Sequence, residues 1–316
     1  MVNLSRLRLP VVVSPMFLAS GPELVLASCL NGVIGTFPAA NARTPEQLDE
    51  WFDIVTAGLE ANSDAAPFGV NIVLSNTADP RQEACLRRRP PIVITSLGDP
   101  TEMAKRVHDW GGRIFHDVVT VHHAEKAAKA GVDGLVLVCA GAGGHAGALN
   151  PFAFLPQIRA SFGGLIVLGG GMSEGSAILA ARTLGADLVY MGTRFLATQE
   201  SRASAAYKAM VVEARTRDIL YTPAICGLPA SFMRQSIEAA GLDLAALPTG
   251  AGRHSVKLPE GVRAWRDIWS AGQGVGLIRD IPPVADLVKR LIREYAEAAA
   301  SFEADVLNPQ RRVAAL

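Results

Sequence analysis

Along the first two thirds of the chain, short apolar runs alternate with longer segments whose apolar positions recur at helical spacing. The runs are VVVSPM (11–16), GVIGTF (32–37), FGVNIVL (68–74), PIVITSL (91–97), RIFHDVV (113–119), GLVLVCA (134–140), LIVLGG (165–170) and LVYMGT (188–193). Their apolar residues are largely continuous and do not alternate with polar ones, which marks strands buried on both faces in a parallel sheet covered by helices. Helix starts fall between them. Thr44-Pro45-Glu46-Gln47 supplies a cap, a proline at the first helical position and a glutamine at the third, Asp99-Pro100-Thr101-Glu102 repeats the arrangement, and Asn150-Pro151 and Ser173-Glu174 are further starts. Eight strand-then-helix units predict an α/β protein of the closed (β/α)8 TIM-barrel type, with a doubly wound open sheet as the structural alternative.

The alternation stops after the eighth run. Residues 198–217 read as helical and 218–281 as irregular and rich in Gly and Pro. Val284, Leu287, Val288, Leu291, Ile292 and Tyr295 then recur at helical spacing. The expected organisation is a barrel from 1–217 and 282–316, with 218–281 as an inserted subdomain over the active-site end.

Composition narrows the class. A chain of 316 residues with 49% hydrophobic content can bury a large core, and 30 basic against 30 acidic residues leave no net field for nucleic acid or an anionic membrane. Cys29, Cys85, Cys139 and Cys226 are widely separated and form no Cys-x-x-Cys pair, which predicts neither disulfides nor a zinc ribbon and suits the cytoplasm. Arg6 and Arg8 before LPVVVSPMFLAS imitate a signal peptide, but Pro10 and Pro15 interrupt the stretch, and its valines read as a first strand. No apolar run reaches the length of a membrane span.

Barrel active sites lie at the C-terminal ends of the strands, so the residues after each run carry the candidate chemistry. After the seventh comes Gly169-Gly170-Gly171-Met172-Ser173, and after the eighth Met191-Gly192-Thr193-Arg194. Glycines let a phosphate reach backbone N–H groups, and a helix starting near Ser173 adds donors and a favourable dipole; tight turns alone would also use glycine. After the sixth run, CAGAGGHAG (139–147) is a bare loop with His145 as its titratable side chain. The Gly141-x-Gly143-x-x-Ala146 spacing imitates a dinucleotide fingerprint. Asn150-Pro151 delays the helix, however, and no acid occurs from Ser161 to Leu168, so the match is accidental. Such a loop suits a large flat molecule lying on its backbone, with His145 to donate, accept or take a proton; a hydrogen bond to a neighbouring carbonyl is the plainer use. His116, His122 and His123 lack metal-ligand spacing, and Cys139 reads as a small buried residue. Pro15-Met16 at the end of the first run, Asn71 in the third, and the bare loop Trp269–Gly276 with Gln273 complete the candidates.

These residues resemble the nitronate monooxygenase family, formerly 2-nitropropane dioxygenases, FMN-containing barrel enzymes. The resemblance rests on Pro15-Met16, Gly69-Val70-Asn71, Ala142–Gly147, Gly185-Ala186-Asp187 with Met191–Phe195, and Ala271-Gly272-Gln273. It implies that Gly170, Gly171, Gly192 and Thr193 hold the FMN phosphate and that Met16, Asn71 and Gly144 lie along the ribityl chain and ring. Pro15, Gly143, Gly169 and Met191 stand in the same segments, and Gln273 near the ring. His145 would face the flavin and the substrate as binding residue and general base. The chain departs from the pattern: where many relatives have an acid or amide and a glutamate before the histidine it has Val138 and Gly141, and where some have a lysine it has His116-Asp117. The resemblance implies oxidation of nitronates by O2 to carbonyl compounds and nitrite, on a small-molecule substrate. It extends to flavin-dependent enoyl-acyl carrier protein reductases, in which NAD(P)H would drive reduction of an enoyl thioester; Ile219-Leu220-Tyr221 and Phe232-Met233 could then cover an acyl chain. A barrel binding a phosphorylated metabolite without flavin is the reading from another class. A homodimer is left open, and no nucleic-acid, membrane or metal partner is expected.

Overall fold

Eight strands form one sheet, and every neighbouring pair in it is parallel. They are β1 (Val11–Val13), β2 (Thr36–Pro38), β3 (Gly69–Val73), β4 (Ile92–Ser96), β5 (Arg113–Val118), β6 (Gly134–Val138), β8 (Leu165–Gly169) and β9 (Leu188–Met191), with the short β7 (Gly144–His145) lying outside that sheet. The computed structural model describes residues 4–76, 78–248 and 255–307. Residues 1–3 and 308–316 of the expected barrel segments, and 249–254 of the expected insert, lie outside the described residues.

The order β1-β9-β8-β6-β5-β4-β3-β2 brings first and second strands to opposite edges, and backbone hydrogen bonds close the ring. Val13 N–H donates to Ile34 O at 2.8 Å, and Ile34 N–H to Val11 O at 2.9 Å. All eight predicted runs supply these strands, and the fold is the (β/α)8 barrel. The valines after Arg8 are β1, paired with β9 in the wall.

Helices α1 (Pro22–Leu30), α2 (Pro45–Glu60), α3 (Pro80–Arg87), α4 (Thr101–Asp109), α5 (Val121–Lys129), α6 (Pro151–Arg159) and α7 (Gly175–Leu184) follow successive strands. After β9 come α8 (Thr193–Leu196), α9 (Ala205–Glu213), α10 (Arg234–Ala239) and α11 (Val284–Leu307), the last completing the eighth unit. Thr44 caps α2 by accepting from Gln47 N–H at 3.2 Å, and Asn150 caps α6. The Asp99 start lies one residue further on than the Thr44 pattern predicts: Pro100 is the N-cap, and Asp99 Oδ1 accepts from Thr101 N–H at 2.9 Å. The cap of α7 is tertiary, Gly175 N–H donating to Glu294 Oε2 of α11 at 2.8 Å. A Cβ on Gly175 would come within 2.3 Å of Tyr295 N, so glycine is what lets α7 and α11 touch backbone to backbone.

Strand alternation sorts the side chains. Val12, Ile34, Ile94, Phe115, Val136, Val167 and Leu188 point inward and fill the barrel with a dry cluster, while the outward residues join the helices in the larger core. One step nearer the C-terminal ends, the inward positions are Asn71, Ser96, Asp117, Val138, Gly169 and Tyr190, and the apolar packing gives way to polar groups facing a cavity.

The irregular stretch builds a small antiparallel sheet of β10 (Ile219–Thr222) and β11 (Ala230–Met233), and β7 joins it by pairing with β11. Ala230 lies opposite His145 and Ser231 opposite Gly144. The histidine segment, read from sequence as a bare loop, is therefore a two-residue strand. Ala224, Ile225, Phe232, Ile237 and Ile268 pack into a separate core beneath this sheet.

Candidate active site

At the C-terminal ends of the strands lies a cavity of about 1130 Å³. That is slightly above the usual range for ligand sites and enough for a cofactor with a substrate beside it. Pro15 and Met16 after β1, Asn71 of β3, and Gly143, Gly144 and His145 at β7 line it. Gly169, Gly170 and Gly171 at the end of β8 and Gly192 and Thr193 at the end of β9 do so as well. Two sequence candidates lie elsewhere. The Met191 side chain is fully buried in the outer core, its carbonyl accepting from Ser14 N–H at 2.9 Å. Gln273 is exposed; its backbone N–H donates to Gly141 O at 2.8 Å and its side chain packs beside Gly141, bracing the histidine segment.

The bare loops touch each other through backbone. A Cβ on Gly272 would lie 2.7 Å from Gly141 O and 2.9 Å from Gly143 N, and one on Gly274 would lie 2.6 Å from Gly171 O. Gly144 and Gly171 have φ of +69°, and there the missing side chain leaves open space: nothing lies within 4 Å at Gly144, and Gly274 N at 4.0 Å is the neighbour at Gly171. These two positions present bare peptide to the cavity. Gly144 N–H donates to Ser270 Oγ at 2.7 Å, and that hydroxyl passes its own proton to Ser231 O at 2.6 Å, tying the histidine segment to the insert. Thr193 Oγ1 accepts from Gly272 N–H at 2.8 Å and so keeps its own proton to donate. The start of α7 offers fewer donors than predicted, because Glu294 occupies Gly175 N–H and Ser173 Oγ donates to Gly274 O at 2.9 Å.

His145 opens on the cavity, and its partners come from the irregular 218–281 stretch. Its Nε2 lies 3.6 Å from Cys226 Sγ, and Trp265 meets the imidazole edge-on at 4.9 Å between ring centroids. His145 is exposed on the cavity side, and partial desolvation by its surroundings lowers the imidazole pKa from the usual 6.5. Cys139 is buried, its thiol pushed up to about 12, so it is no nucleophile. His116 points away from the barrel interior, its Nδ1 2.8 Å from Thr95 Oγ1, and burial depresses it to about 4.

Five side chains escaped the sequence reading as participants: Ser96, Asp117, Tyr190, Trp265 and the Cys226 that meets His145. Ser96, Asp117 and Tyr190 form the polar top of the barrel interior. Asn71 Nδ2 donates to Ser96 Oγ at 2.8 Å, and Ser96 Oγ to Asp117 Oδ2 at 2.6 Å. Asp117 Oδ1 and the Tyr190 hydroxyl are buried with no hydrogen-bond partner among the described residues. Desolvation pushes the Asp117 carboxyl up to about 7. The usable signal was an acid inside the apolar run RIFHDVV at an inward position. Trp265, the fourth, gave no signal; it lies in an irregular segment with φ of +71°, a conformation seldom taken by a bulky residue. The apolar residues considered for an acyl chain are placed otherwise. Phe232 and Met233 are fully buried and Ile219 nearly so, in cores away from the cavity, and the Tyr221 hydroxyl donates to Ala146 O at 2.8 Å.

Residues 77–294 match the family model described as nitronate monooxygenase. The chain is 30% identical over 244 residues to a nitronate monooxygenase of Pseudomonas aeruginosa, covering 71% of this chain and 69% of that protein. It is 29% identical over 233 residues to (3aS,4S,5R,7aS)-5-hydroxy-7a-methyl-1-oxo-octahydro-1H-indene-4-carboxyl-CoA dehydrogenase of Mycobacterium tuberculosis, the match spanning 72% of this chain and 64% of that relative's length. Among solved structures, FabK from Thermotoga maritima superimposes with a TM-score of 0.77 at 26% identity, over 95% of this chain and 97% of the other. Among the described residues, no helix is long and apolar enough to cross a membrane.

Proposed function

This chain belongs to the nitronate monooxygenase family and is a flavin oxidoreductase, and on that premise we propose that it binds FMN and oxidises alkyl nitronates with O2 to carbonyl compounds and nitrite. The observation that carries this reading is His145: a neutral imidazole on the cavity wall, beside loops stripped to their backbone.

The wall suits a flat phosphorylated cofactor. Gly170, Gly171, Gly192 and Thr193 would hold the phosphate, Thr193 through the proton it keeps. Pro15, Met16, Asn71, Gly143, Gly144 and Gly169 would line the rest of the cofactor, and the space left at Gly144 and Gly171 is where it would press on bare peptide. Met191 and Gln273 would support these loops. When bound, FMN supplies the redox chemistry, taking electrons from the substrate and passing them to O2. His145 orients the anionic nitro group of a nitronate by hydrogen bonding. For a neutral nitroalkane it first removes the α-proton, a task for which an unprotonated imidazole is suited. Free thiols at all four cysteines suit a reducing cytoplasm.

A second reading keeps the cofactor and exchanges the substrate. A relative named as a carboxyl-CoA dehydrogenase supports a thioester substrate, which NAD(P)H-dependent reduction of an enoyl thioester would use.

Anaerobic mixing separates the two. The FMN-loaded protein is mixed with propionate 3-nitronate or ethylnitronate in one cell and with NADPH or NADH in another, while the visible flavin band is followed. Bleaching by the nitronate alone, reversed by air, is the expected result. Bleaching by the nicotinamide alone overturns the nitronate reading and directs the search to enoyl thioesters.

A further inference from the structure

The insert grips His145 from three directions. Its backbone lies opposite Ala230 in β11, Trp265 meets its ring edge-on, and Cys226 Sγ lies 3.6 Å from its Nε2. Two of these contacts limit what the imidazole can do chemically.

Cys226 Sγ has a second neighbour, Leu228 O, at 3.3 Å. A carbonyl oxygen can only accept, so the thiol proton belongs to the Sγ–H···O contact. The sulfur then meets His145 Nε2 with its lone pairs, and Nε2 must carry the ring proton. That assignment leaves Nδ1 unprotonated, and no described residue occupies it. A weak S–H donor cannot serve both neighbours with its one proton, which is how this pairing selects a tautomer.

Trp265 fixes the ring in a second way. Its own ring is wedged between His145 and the buried Phe232, each at 4.9 Å between centroids, and the Trp265 backbone N–H donates to Ile268 O at 3.1 Å. A bulky residue at φ of +71° costs conformational energy that the surrounding contacts must offset, and such positions cluster where a functional group is being held. The Phe232 end of the wedge is anchored in the insert's core.

We propose that Cys226 and Trp265 are positioning residues for His145: the cysteine sulfur accepts from Nε2–H and holds the tautomer in which Nδ1 is the base, and the tryptophan holds the ring plane. The inference rests on the reading of His145 as substrate-binding residue and base. It adds the atom that does the work and the residues that select it.

The first test needs no turnover. Holoenzyme with 15N-labelled histidine is examined by NMR at neutral pH, with His145→Asn identifying the His145 signals. Nε2 is expected at the protonated, pyrrole-like position and Nδ1 at the unprotonated one. An unprotonated Nε2 overturns the proposal whatever the substrate proves to be. The second test compares Cys226→Ala and Cys226→Ser. With neutral nitroalkanes, Cys226→Ala should lower kcat about three- to tenfold with little change in KM, consistent with loss of one weak hydrogen bond at about 1 kcal/mol. It should leave preformed nitronates nearly untouched, while Cys226→Ser, whose hydroxyl can donate to Leu228 O and accept from Nε2–H, restores the rate. Equal losses on both substrates, or no rescue by serine, would also sink it. Trp265→Phe keeps the insert packed and should broaden the His145 ring signals through added motion; unchanged signals remove the tryptophan from the proposal. If wild-type protein turns over no nitronate while its Nε2 is protonated as expected, the substrate reading fails and the tautomer assignment stands.

Discussion

The cavity has two kinds of wall. On one side the barrel loops at Gly141–Gly144, Gly169–Gly171 and Ala271–Gly274 meet through peptide groups, close enough that a Cβ added at Gly143, Gly170, Gly272 or Gly274 would collide with a neighbouring carbonyl or N–H. On the other, His145 is set in place by side chains of the insert, with Cys226 and Trp265 against its ring. The first wall gives shape and donors independent of pH; the second gives a group that can change protonation. A flavin enzyme needs both, because the cofactor carries the electrons while the protein supplies position and the proton acceptor.

The comparison breaks most sharply at His145. His145→Asn keeps a hydrogen-bonding side chain and removes the base, so turnover of neutral nitroalkanes should fall about 100-fold or more while preformed nitronates lose far less. Equal losses on both would eliminate the base role and leave His145 as a binding residue. The pH profile gives the same test without a mutation. Burial holds the His145 pKa below its usual 6.5, so the base form persists as the pH falls, and the acid limb for neutral nitroalkanes should lie below pH 6.5. An acid limb above that value would contradict the lowered pKa of the ring.

On the backbone wall, Gly272→Ala should matter more than Gly144→Ala, although both add one methyl. At Gly272 the methyl meets Gly141 O and Gly143 N, which are backbone atoms and cannot swing aside. The loops must separate, at a cost of about 1–3 kcal/mol in stability, and FMN affinity should drop by tenfold or more. At Gly144 the methyl enters open cavity, and the cost to the fold is the left-handed backbone alone, about 1–2 kcal/mol. FMN titration and thermal melting of the two variants give the check. Unchanged FMN affinity in Gly144→Ala would mean that nothing packs on that peptide.

The two walls also differ in how far the sequence revealed them. Gly169-Gly170-Gly171 and Gly192-Thr193 could be found because glycines cluster visibly and the eight strand runs fix which loops share an end of the barrel. His145 stood out as the titratable side chain of a bare segment. Its partners did not, because Cys226 and Trp265 are 81 and 120 positions away and are brought to it by the pairing of β7 with β11, which two strand residues are too few to announce. Met191 was found as part of a segment, but its side chain packs in the outer core, and a local sequence motif does not specify that direction. Asp117 and Tyr190 were hidden inside apolar runs, where the inward or outward sense of one residue depends on the register of the whole barrel.

The smallest effect lies beneath both walls, where Asp117 tests what the polar top of the barrel costs the fold. Desolvation raises its carboxyl from 3.8 to about 7, and Ser96 is its hydrogen-bond partner. Between those values the unfolded chain ionises while the folded chain keeps the proton, so stability is fully present below pH 3.8 and declines as the pH rises to about 7. Above that pH both states are ionised and the loss levels off. Asp117→Asn does not titrate and retains an oxygen that can accept from Ser96. In FMN-free protein its melting temperature relative to wild type should therefore climb from pH 5 to pH 7, by a few degrees, and then stay flat. A difference that does not vary with pH would mean that Asp117 keeps the same charge in both states. The polar groups under the cavity would then carry no penalty that the glycine wall avoids.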